Sequence, residues 1–419
     1  MSQLTDTFTG IANAIRNKTG SSSAFTPAQM ITEIGNIPTG KPIIEPYKYA
    51  NSTITSYNGN EELILDNAFY NCVLRTASFP QCTYIGYYAF HICRFLSTIS
   101  FPECTYIGNS AFYGCSSLTT ISFPQCTYID NSAFYGCSRN LTTISFPQCS
   151  FIGNYAFYSC SKLTTASFPQ CSYIGNSAFY SCSSLTTISF PECSYIGDNA
   201  FYDCRSLTTA SFPQCSFIGS SAFYRCTSLT TASFPQCSFI SNYAFQNCTS
   251  LSTASFPQCT YIGNSVFQSC YALSTISFPQ CTYIGSSAFY SCRSLTTISF
   301  PQCSSICSNA FWYCSNLTTV SFPKCTYIGS SAFQYCSSLT TISFPECTYI
   351  GNYAFNSCSR LVSLYLLTST VPSLQNPNAF NYTPLSAGGS GTIYVNASLE
   401  ASFKTATNWK SLSSRIVGM

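Results

Sequence analysis

The sequence predicts an α/β solenoid, a curved right-handed coil of short repeats with a parallel β-sheet, short N-terminal helices and a C-terminal cap. A Ser-Phe-Pro step recurs from Pro80 to Pro345 every 22 residues, except for one interval of 23 between Pro124 and Pro147. Apolar residues make up 46% of the 419 residues, enough for a large core. Charged residues make up only 7%, against about 25% in a typical soluble domain, so the surface must be polar but uncharged.

One repeat reads L-x-x-I-x-F-x-x-C-x-x-I-G-x-x-A-F-x-x-C-x-x, as in the stretch from Leu118 to Cys137. The alternation from Leu118 to Phe123 predicts one short strand per repeat, with Leu, Ile and Phe inward and Thr and Ser outward, on the concave face. The I-G-x-x-A-F half is expected to return over the convex side through a turn or a single helical turn. The start of the unit matches the leucine-rich-repeat pattern. We assign the solenoid to residues 59–361.

The stretch IGNSAFYGCSSLTTISFP, residues 107–124, resembles the BspA-like leucine-rich-repeat family, and the likeness covers about residues 64–361. This sequence departs from the family pattern by its cysteine after Phe-Pro and by its 22-residue rather than 23-residue repeat. The resemblance implies a leucine-rich-repeat fold and a role in adhesion and surface binding.

The chain has 28 cysteines, which stand in the F-P-x-C step, in the A-F-x-x-C step or its V-F variant, and at Cys307. Adjacent turns would bring like cysteines within disulfide range, but the 13 cysteines of the F-P-x-C step cannot all pair. The sequence lacks the short Cys-x2-4-Cys spacing of zinc sites and contains one histidine, His91, which disfavours zinc binding. We favour buried free thiols that fill the corners of the coil, and no metal site or cofactor is predicted.

The outward strand positions repeat with little change and predict a concave-face ladder of Thr120, Ser122, Gln125, Gln148 and Gln170 with their equivalents. One interpretation is structural, because Thr suits strands and polar side chains can bond one another across turns. A second is a hydrogen-bonding groove for a repeating polymer such as a cell-surface glycan. Regular Thr-x-Ser rows also resemble ice-binding faces, although curvature disfavours a match to a flat lattice.

The two residues after each Ala-Phe vary and are mostly Tyr, Ser, Asn and Gly, a composition typical of binding loops. The competing explanation is unselected sequence drift at exposed turn positions. The predicted ligand-binding residues are Trp312, Tyr313, Tyr335, Tyr224, Arg225 and Tyr202.

Composition disfavours several functional classes. One histidine and 13 acidic residues leave little for acid–base catalysis, and no phosphate loop, HExxH or GxSxG motif occurs, so we expect no enzyme. The 16 basic residues are scattered, which disfavours nucleic-acid binding. The sequence has no apolar run long enough to span a membrane, so we expect no membrane insertion, and no signal peptide is evident. We expect synthesis in the cytoplasm and release by another route, such as lysis.

Residues 1–40 differ from the repeats and predict two amphipathic helices. The first lies near residues 4–18, and the second follows a capping arrangement at Thr26 and Pro27. Their apolar faces hold the predicted attachment residues Leu4, Phe8, Ile11, Ile15, Met30 and Ile34. Residues 41–58 are interpreted as a linker.

The segment LTDTFTGIANAIRNKTG, with FTPAQMITEI after it, is similar to N-terminal segments of tail-associated proteins from phages of Gram-positive bacteria. The resemblance implies docking onto a virion tail or baseplate protein, with a homotrimer left open.

Residues 362–419 predict a degenerate repeat and a C-terminal cap. Asn378–Phe380 is a decayed last unit, Thr392–Val395 a strand, and Asn396 the cap of a helix from about Ser398. Trp409 is expected to anchor the end.

Together these features predict a non-enzymatic phage tail or baseplate receptor-binding protein on the virion, which recognises a host cell-surface glycan or protein. A cellular BspA-like surface adhesin and a structural virion spacer or decoration protein are the alternatives.

Overall fold

The computed structural model describes residues 42–419. The predicted N-terminal helices, with attachment residues Leu4, Phe8, Ile11, Ile15, Met30 and Ile34, therefore lie outside the described residues. The chain divides into two units, Met1–Arg205 and Ser206–Met419, here called the N-terminal and C-terminal units. Each unit is a parallel β-solenoid with repeats of about 22 residues, as predicted.

Each turn of the N-terminal unit contributes two short strands. One set, the aromatic-Ile ladder, comprises Ile43–Ile44, Leu63–Ile64, Tyr84–Ile85, Tyr106–Ile107, Tyr128–Ile129, Phe151–Ile152, Tyr173–Ile174 and Tyr195–Ile196. The other set, the Thr-x-Ser ladder, comprises Ser56–Asn58, Thr76–Ser78, Thr98–Ser100 and Thr120–Ser122 in one sheet, and Thr143–Ser145, Thr165–Ser167 and Thr187–Ser189 in another. The 23-residue repeat lies where this ladder divides.

The C-terminal unit repeats the same two ladders. Its aromatic-Ile ladder comprises Phe217–Ile218, Phe239–Ile240, Tyr261–Ile262, Tyr283–Ile284, Ser305–Ile306, Tyr327–Ile328, Tyr349–Ile350 and Ser373–Leu374. Its Thr-x-Ser ladder comprises three sheets. The first contains Thr209–Ser211, Thr231–Ser233, Thr253–Ser255 and Thr275–Ser277, and the second Thr297–Ser299 and Thr319–Ser321. The third begins with Thr341–Ser343 and continues through the terminal strands Ser363–Leu366, Thr392–Val395 and Ile416–Gly418, which lack the Thr-x-Ser sequence.

Two features differ from the sequence-based expectation. A second strand per repeat forms where only a turn was expected, because the short Tyr-Ile segments pair in parallel, as Tyr106 does with Tyr128. The predicted linker 41–58 is also wrong, because Ile43–Ile44 pairs with Leu63–Ile64 and Ser56–Asn58 pairs with Thr76–Ser78. The solenoid therefore begins before residue 59.

The core consists of columns in which each side chain stacks on its own copy in the next turn. Phe112 stacks on Phe134 with ring centroids 5.2 Å apart, and Phe101 stacks on Phe123 at the same distance. The two columns meet edge to face, with Phe123 and Phe134 at 6.1 Å. Each buried Phe contributes about 1.5–3 kcal/mol through burial, and each aromatic pair about 0.5–1.5 kcal/mol more.

The cysteines form two further columns of free thiols. Cys126 donates a weak hydrogen bond from Sγ to the Tyr128 carbonyl at 3.4 Å, and Cys115 to the Phe90 carbonyl of the preceding turn at 3.1 Å. Burial raises the pKa of Cys126 to about 12. Cys307 differs, because it is half-buried and donates from Sγ to the Tyr283 hydroxyl at 3.3 Å. The buried-thiol interpretation agrees with this arrangement.

The Ala-Phe turn holds two residues in the left-handed region, and this geometry lets it bond to the next turn. In one repeat these residues are Ser110, with φ 52°, and Gly114, with φ 69°. Their amides donate to the carbonyls of Asn131 and Tyr135 at 2.9 and 2.7 Å. Even the irregular half of the repeat is therefore hydrogen-bonded along the coil, which leaves few backbone groups unpaired.

The C-terminal end of the chain covers the last turns, and its strand Thr392–Val395 is confirmed. Trp409 is buried, and its Nε1 donates to the Pro372 carbonyl at 2.8 Å, as the predicted anchor requires. Asn396 occupies the predicted N-cap position, before the 3-10 helix Ala397–Leu399, but its side chain makes no capping hydrogen bond and donates instead to the Thr368 carbonyl. The helical elements are 3-10 helices Pro377–Phe380, Ala397–Leu399 and Lys410–Arg415, and the α-helix Glu400–Thr405.

We expect Gly136→Ala to lower the free energy of unfolding by about 1 kcal/mol, because Gly136 has φ 70° and a Cβ there disfavours this region. A Cβ built at Gly136 meets nothing within 4 Å, so crowding does not contribute. Ser159→Ala is the matched control, since Ser159 already holds a side chain at φ 56° in the equivalent position. Urea denaturation measures the free energy of unfolding of the wild type and both variants. If Gly136→Ala were no less stable than the wild type, the backbone explanation would be contradicted.

Of the 28 cysteines, all within the described residues, Cys307 alone is not fully buried. We therefore expect a thiol-reactive chromophore to modify one cysteine rapidly in the native protein and all of them in denaturant. Cys307→Ser should abolish the rapid phase and leave the denatured count lower by one. Rapid modification of several cysteines in the native state would show that the columns are open to solvent.

Stability should fall steeply as the solution becomes alkaline. Burial raises the pKa of Cys82, Cys126 and Cys160 to about 12, whereas an unfolded thiol ionises near pH ~8.5. The folded state therefore holds protons that the unfolded state loses. Stability is fully present below pH ~8.5 and declines towards pH 12 by about 1.4 kcal/mol per pH unit for each such thiol. Urea denaturation under reducing conditions at stepped pH measures the slope, and a flat profile would contradict it.

Candidate functional site

The Thr-x-Ser ladder forms shallow grooves whose walls carry hydroxyl and apolar groups. In the C-terminal unit one groove of about 410 Å³ is lined by Thr231, Ala232, Ser233, Thr253, Ala254, Ser255, Thr275, Ile276, Ser277 and Thr297. In the N-terminal unit a groove of about 230 Å³ runs over the strands from Ser56 to Ser100. No charged side chain lines either groove.

The hydroxyls of this ladder differ from those of the neighbouring rows. Thr119, one residue before the strand, donates from Oγ1 to the Ser97 carbonyl at 2.9 Å, and Thr127 donates to the Thr105 carbonyl at 3.1 Å. The hydroxyls of these neighbouring rows therefore link each turn to the preceding one by hydrogen bonds. Within residues 42–419, the hydroxyls lining the 410 Å³ groove make no side-chain hydrogen bond, and Thr253 and Ser255 are exposed. They remain available to a ligand.

The predicted concave-face ladder separates into two parts. Thr120 and Ser122 are exposed on their strand. Gln125, Gln148 and Gln170 are also exposed, but they lie on the turn after the strand. None of these five residues lines the two described grooves. In the equivalent repeat of the C-terminal unit, Thr253 and Ser255 line the 410 Å³ groove and Gln258 does not.

The positions after Ala-Phe stack into an aromatic column in the N-terminal unit. Tyr113, Tyr135 and Tyr158 stack with centroids 4.6 Å apart, and the column also contains Tyr70, His91, Tyr180 and Tyr202. Stacking covers the ring faces and leaves mainly edges and hydroxyls exposed. Burial, with a smaller effect of the neighbouring tyrosines, raises the pKa of Tyr180. Tyr202, a predicted ligand-binding residue, is thus part of a structural column.

The structure brings three predicted residues of the C-terminal unit together. Trp312 stacks on Tyr290 at 4.4 Å, and its ring lies 5.3 Å from Tyr313 and 5.4 Å from Tyr335. Its Nε1 donates to Gln334 Oε1 at 3.2 Å. Tyr313 and Tyr335 keep 36% and 39% of their surface exposed, which makes them the accessible part of the cluster.

Sequence reasoning missed the positive charge at this cluster. The guanidinium of Arg293 lies 5.3 Å from the Tyr271 ring centroid and 4.9 Å from that of Tyr313. These contacts cross three successive turns, and the only sequence signal is that Tyr271 and Arg293 follow equivalent cysteines 22 residues apart. We call Tyr271, Arg293, Trp312, Tyr313 and Tyr335 the edge cluster.

Two other predicted residues, Tyr224 and Arg225, are not part of the edge cluster. Tyr224 and Arg225 occupy the turn positions of Trp312 and Tyr313 four repeats earlier, and Arg225 is exposed in the left-handed region with φ 58°. They are equivalent positions on another part of the C-terminal unit.

Among residues 42–419 no group of three or more His, Cys, Asp and Glu side chains is placed to hold a metal ion. His91 stacks between Tyr70 and Tyr113, and burial lowers its pKa. The same range contains no helix with the length and apolar character of a membrane span.

Comparison with solved structures identifies leucine-rich-repeat proteins. One from Bacteroides ovatus matches with TM-score 0.52 and 22% identity over 87% of this chain and 92% of its own. One from Eubacterium ventriosum matches with TM-score 0.44 and 22% identity over 67% and 82%, and a leucine-rich cell surface protein from Faecalibacterium prausnitzii with 0.36 and 21% over 91% and 93%. These likenesses concern the fold.

A search of curated proteins finds no match. The family model for the BspA-type leucine-rich repeat region matches residues 42–164, 150–273 and 260–386, which together cover most of the chain. The chain therefore belongs to the BspA-type leucine-rich-repeat family.

Proposed function

We propose that this chain is a non-enzymatic recognition protein that acts at a cell surface as a BspA-type adhesin. The 410 Å³ groove of the C-terminal unit is the proposed binding surface. One observation carries the proposal: the groove presents rows of hydroxyls that make no side-chain hydrogen bond within the described residues, whereas the neighbouring row of Thr230, Ser252 and Ser274 donates to backbone carbonyls. A hydroxyl both donates and accepts hydrogen bonds, so such a row suits a polar, uncharged ligand.

The proposed ligand is a cell-surface glycan or a protein segment. Successive rows of hydroxyls lie about 4.8 Å apart, the spacing of strands in a sheet. A polymer with regularly placed hydroxyl or amide groups can bond several rows at once. Individually weak contacts then add along its length, because the later contacts form within an already bound chain. The uncharged lining favours such a ligand over nucleic acid, whose binding requires many cations.

A finer hypothesis places the protein on a phage tail or baseplate, with the solenoid as receptor-binding part. It depends on the resemblance of residues 1–40, which the structure does not describe. Family membership and the likeness to bacterial leucine-rich-repeat structures favour the cellular adhesin. A homotrimer and a virion partner for the N-terminal segment belong to the same hypothesis and stay predictions.

We expect Thr253→Arg to abolish selective binding of the labelled full chain to a panel of intact bacteria, measured by flow cytometry. Thr253 is exposed and lines the groove, so an arginine would fill it without disturbing the core.

Gln258→Arg is the matched control, because it adds the same charge at an exposed turn position after the same strand but outside the groove lining. It should bind like the wild type. Equal binding by Thr253→Arg and the wild type would exclude the groove, and binding to no strain would favour a structural spacer.

A further inference from the structure

We propose that the edge cluster is a second binding site, specific for a saccharide that carries a carboxylate. The cluster lies on the turns after the Ala-Phe steps of the C-terminal unit, whereas the hydroxyl groove lies on the Thr-x-Ser strands. The proposal therefore goes beyond the recognition function assigned to the groove. Its ligand differs in charge as well as in position.

Arg293 is a cation held in place without an acidic partner. Its guanidinium is fixed between the rings of Tyr271 and Tyr313, while its side chain is exposed to solvent. Within residues 42–419 no carboxylate forms an ion pair with it. A guanidinium presents a planar fork that binds a carboxylate through two parallel hydrogen bonds. The ring contacts orient this fork before any ligand arrives.

The composition of the C-terminal unit explains why the partner must come from outside. Residues 206–419 contain seven basic and two acidic side chains, a net charge of 7 − 2 = +5. Of the two acids, Glu400 is paired with Lys404 in the C-terminal cap. The other, Glu346, lies on a Phe-Pro turn rather than on the turn of Arg293. This excess of positive charge favours an anionic ligand.

The aromatic part of the cluster is rigid and partly open. Trp312 is fixed by its stack on Tyr290 and by its hydrogen bond to Gln334, whose Nε2 donates to Asn356 Oδ1 at 3.1 Å. Tyr313 and Tyr335 therefore present ring surface over an ordered base. Rigid aromatic side chains supply contact area at low entropic cost, and neighbouring amides supply hydrogen bonds. Such a surface fits the C–H face and hydroxyls of a sugar ring.

The backbone places the two tyrosines on consecutive turns in the same orientation. Tyr313 and Tyr335 have φ 60° and 63°, in the left-handed region that this position adopts in the other turns, as in Gly114, Gly136 and Arg225. The repeat geometry therefore aligns the two rings side by side along the coil.

A carboxylated sugar fits these features better than a phosphate-bearing polymer or an acidic peptide. Polyanions are bound by several cations that neutralise successive charges, whereas this cluster holds one arginine among rings and amides. A single carboxylate with an adjoining sugar ring uses both parts of the site. The other two ligand classes are tested as competitors.

The test is isothermal titration calorimetry of the full chain with trigalacturonic acid and with sialyllactose, each against its neutral parent, galactotriose or lactose. At least one acidic saccharide should bind with a Kd below about 1 mM, and its neutral parent at least about tenfold more weakly, because the guanidinium then loses its charged partner. Arg293→Gln should weaken acidic binding by about tenfold or more.

Arg360→Gln is the matched control, because it removes one exposed arginine of the same unit outside the cluster. It should bind the acidic saccharide like the wild type. Tyr313→Asn, which tolerates the left-handed backbone, should also weaken binding. Thr253→Arg should leave it unchanged, which separates this site from the groove.

The proposal is overturned if neither acidic saccharide binds, or if the neutral parents bind as tightly. It is also overturned if Arg293→Gln binds like the wild type, or if a polyglutamate peptide or inorganic phosphate binds more tightly than both saccharides.

Discussion

The register of the repeat is the constraint on which the rest of the structure depends. A constant repeat length of 22 residues, with one of 23, places almost every side chain on its own copy in the next turn. The Phe columns form in this way, and so does a ladder in which Asn131 Oδ1 accepts from the Asn154 amide and Asn154 Oδ1 from the Asn176 amide. Each side chain must therefore pack against the same kind of side chain on the next turn as well as against its other neighbours. Phe, which stacks on Phe, and Asn, which bonds to the turn of the next Asn, satisfy this requirement.

The same requirement explains why the protein carries so few charges. Identical charges on neighbouring turns would lie about 5 Å apart, where their repulsion costs about 1 kcal/mol or more per pair. Neutral Thr, Ser, Asn, Gln and Tyr side chains avoid this cost and satisfy polar groups along the coil. Some charges bond to a neutral side chain on an adjacent turn, as Lys324 does when it donates to Gln302 Oε1 at 2.7 Å. Others are paired locally, as Arg205 is with Asp203. A self-stacked surface is therefore uncharged, and an isolated arginine such as Arg293 marks a departure from the repeat.

These two kinds of surface suit two kinds of contact. The hydroxyl groove repeats from turn to turn, so it is matched to a ligand that also repeats, and its affinity would come from many equivalent weak bonds. The edge cluster occurs once in the described chain and combines Trp312, Tyr313 and Tyr335 with a single cation. Its specificity would come from one charged group and one ring. A protein with both surfaces could bind a polymer along its length and recognise a particular residue on it.

The sequence by itself determined the solenoid, its core columns, the buried thiols and the anchoring role of Trp409, because periodic apolar residues leave few ways to bury them. Tertiary structure decided what depends on contacts between turns. Two-residue Tyr-Ile strands have no periodicity of their own and exist only through pairing, and residues 43–58 join the coil by the same pairing. The sequence identified Trp312 and Tyr313 as departures from the repeat. Arg293 could be identified as part of their cluster only from the structure, because the coiling of the chain places it between Tyr271 and Tyr313. Distances between residues on successive turns are fixed by the winding of the chain, which local sequence patterns do not specify.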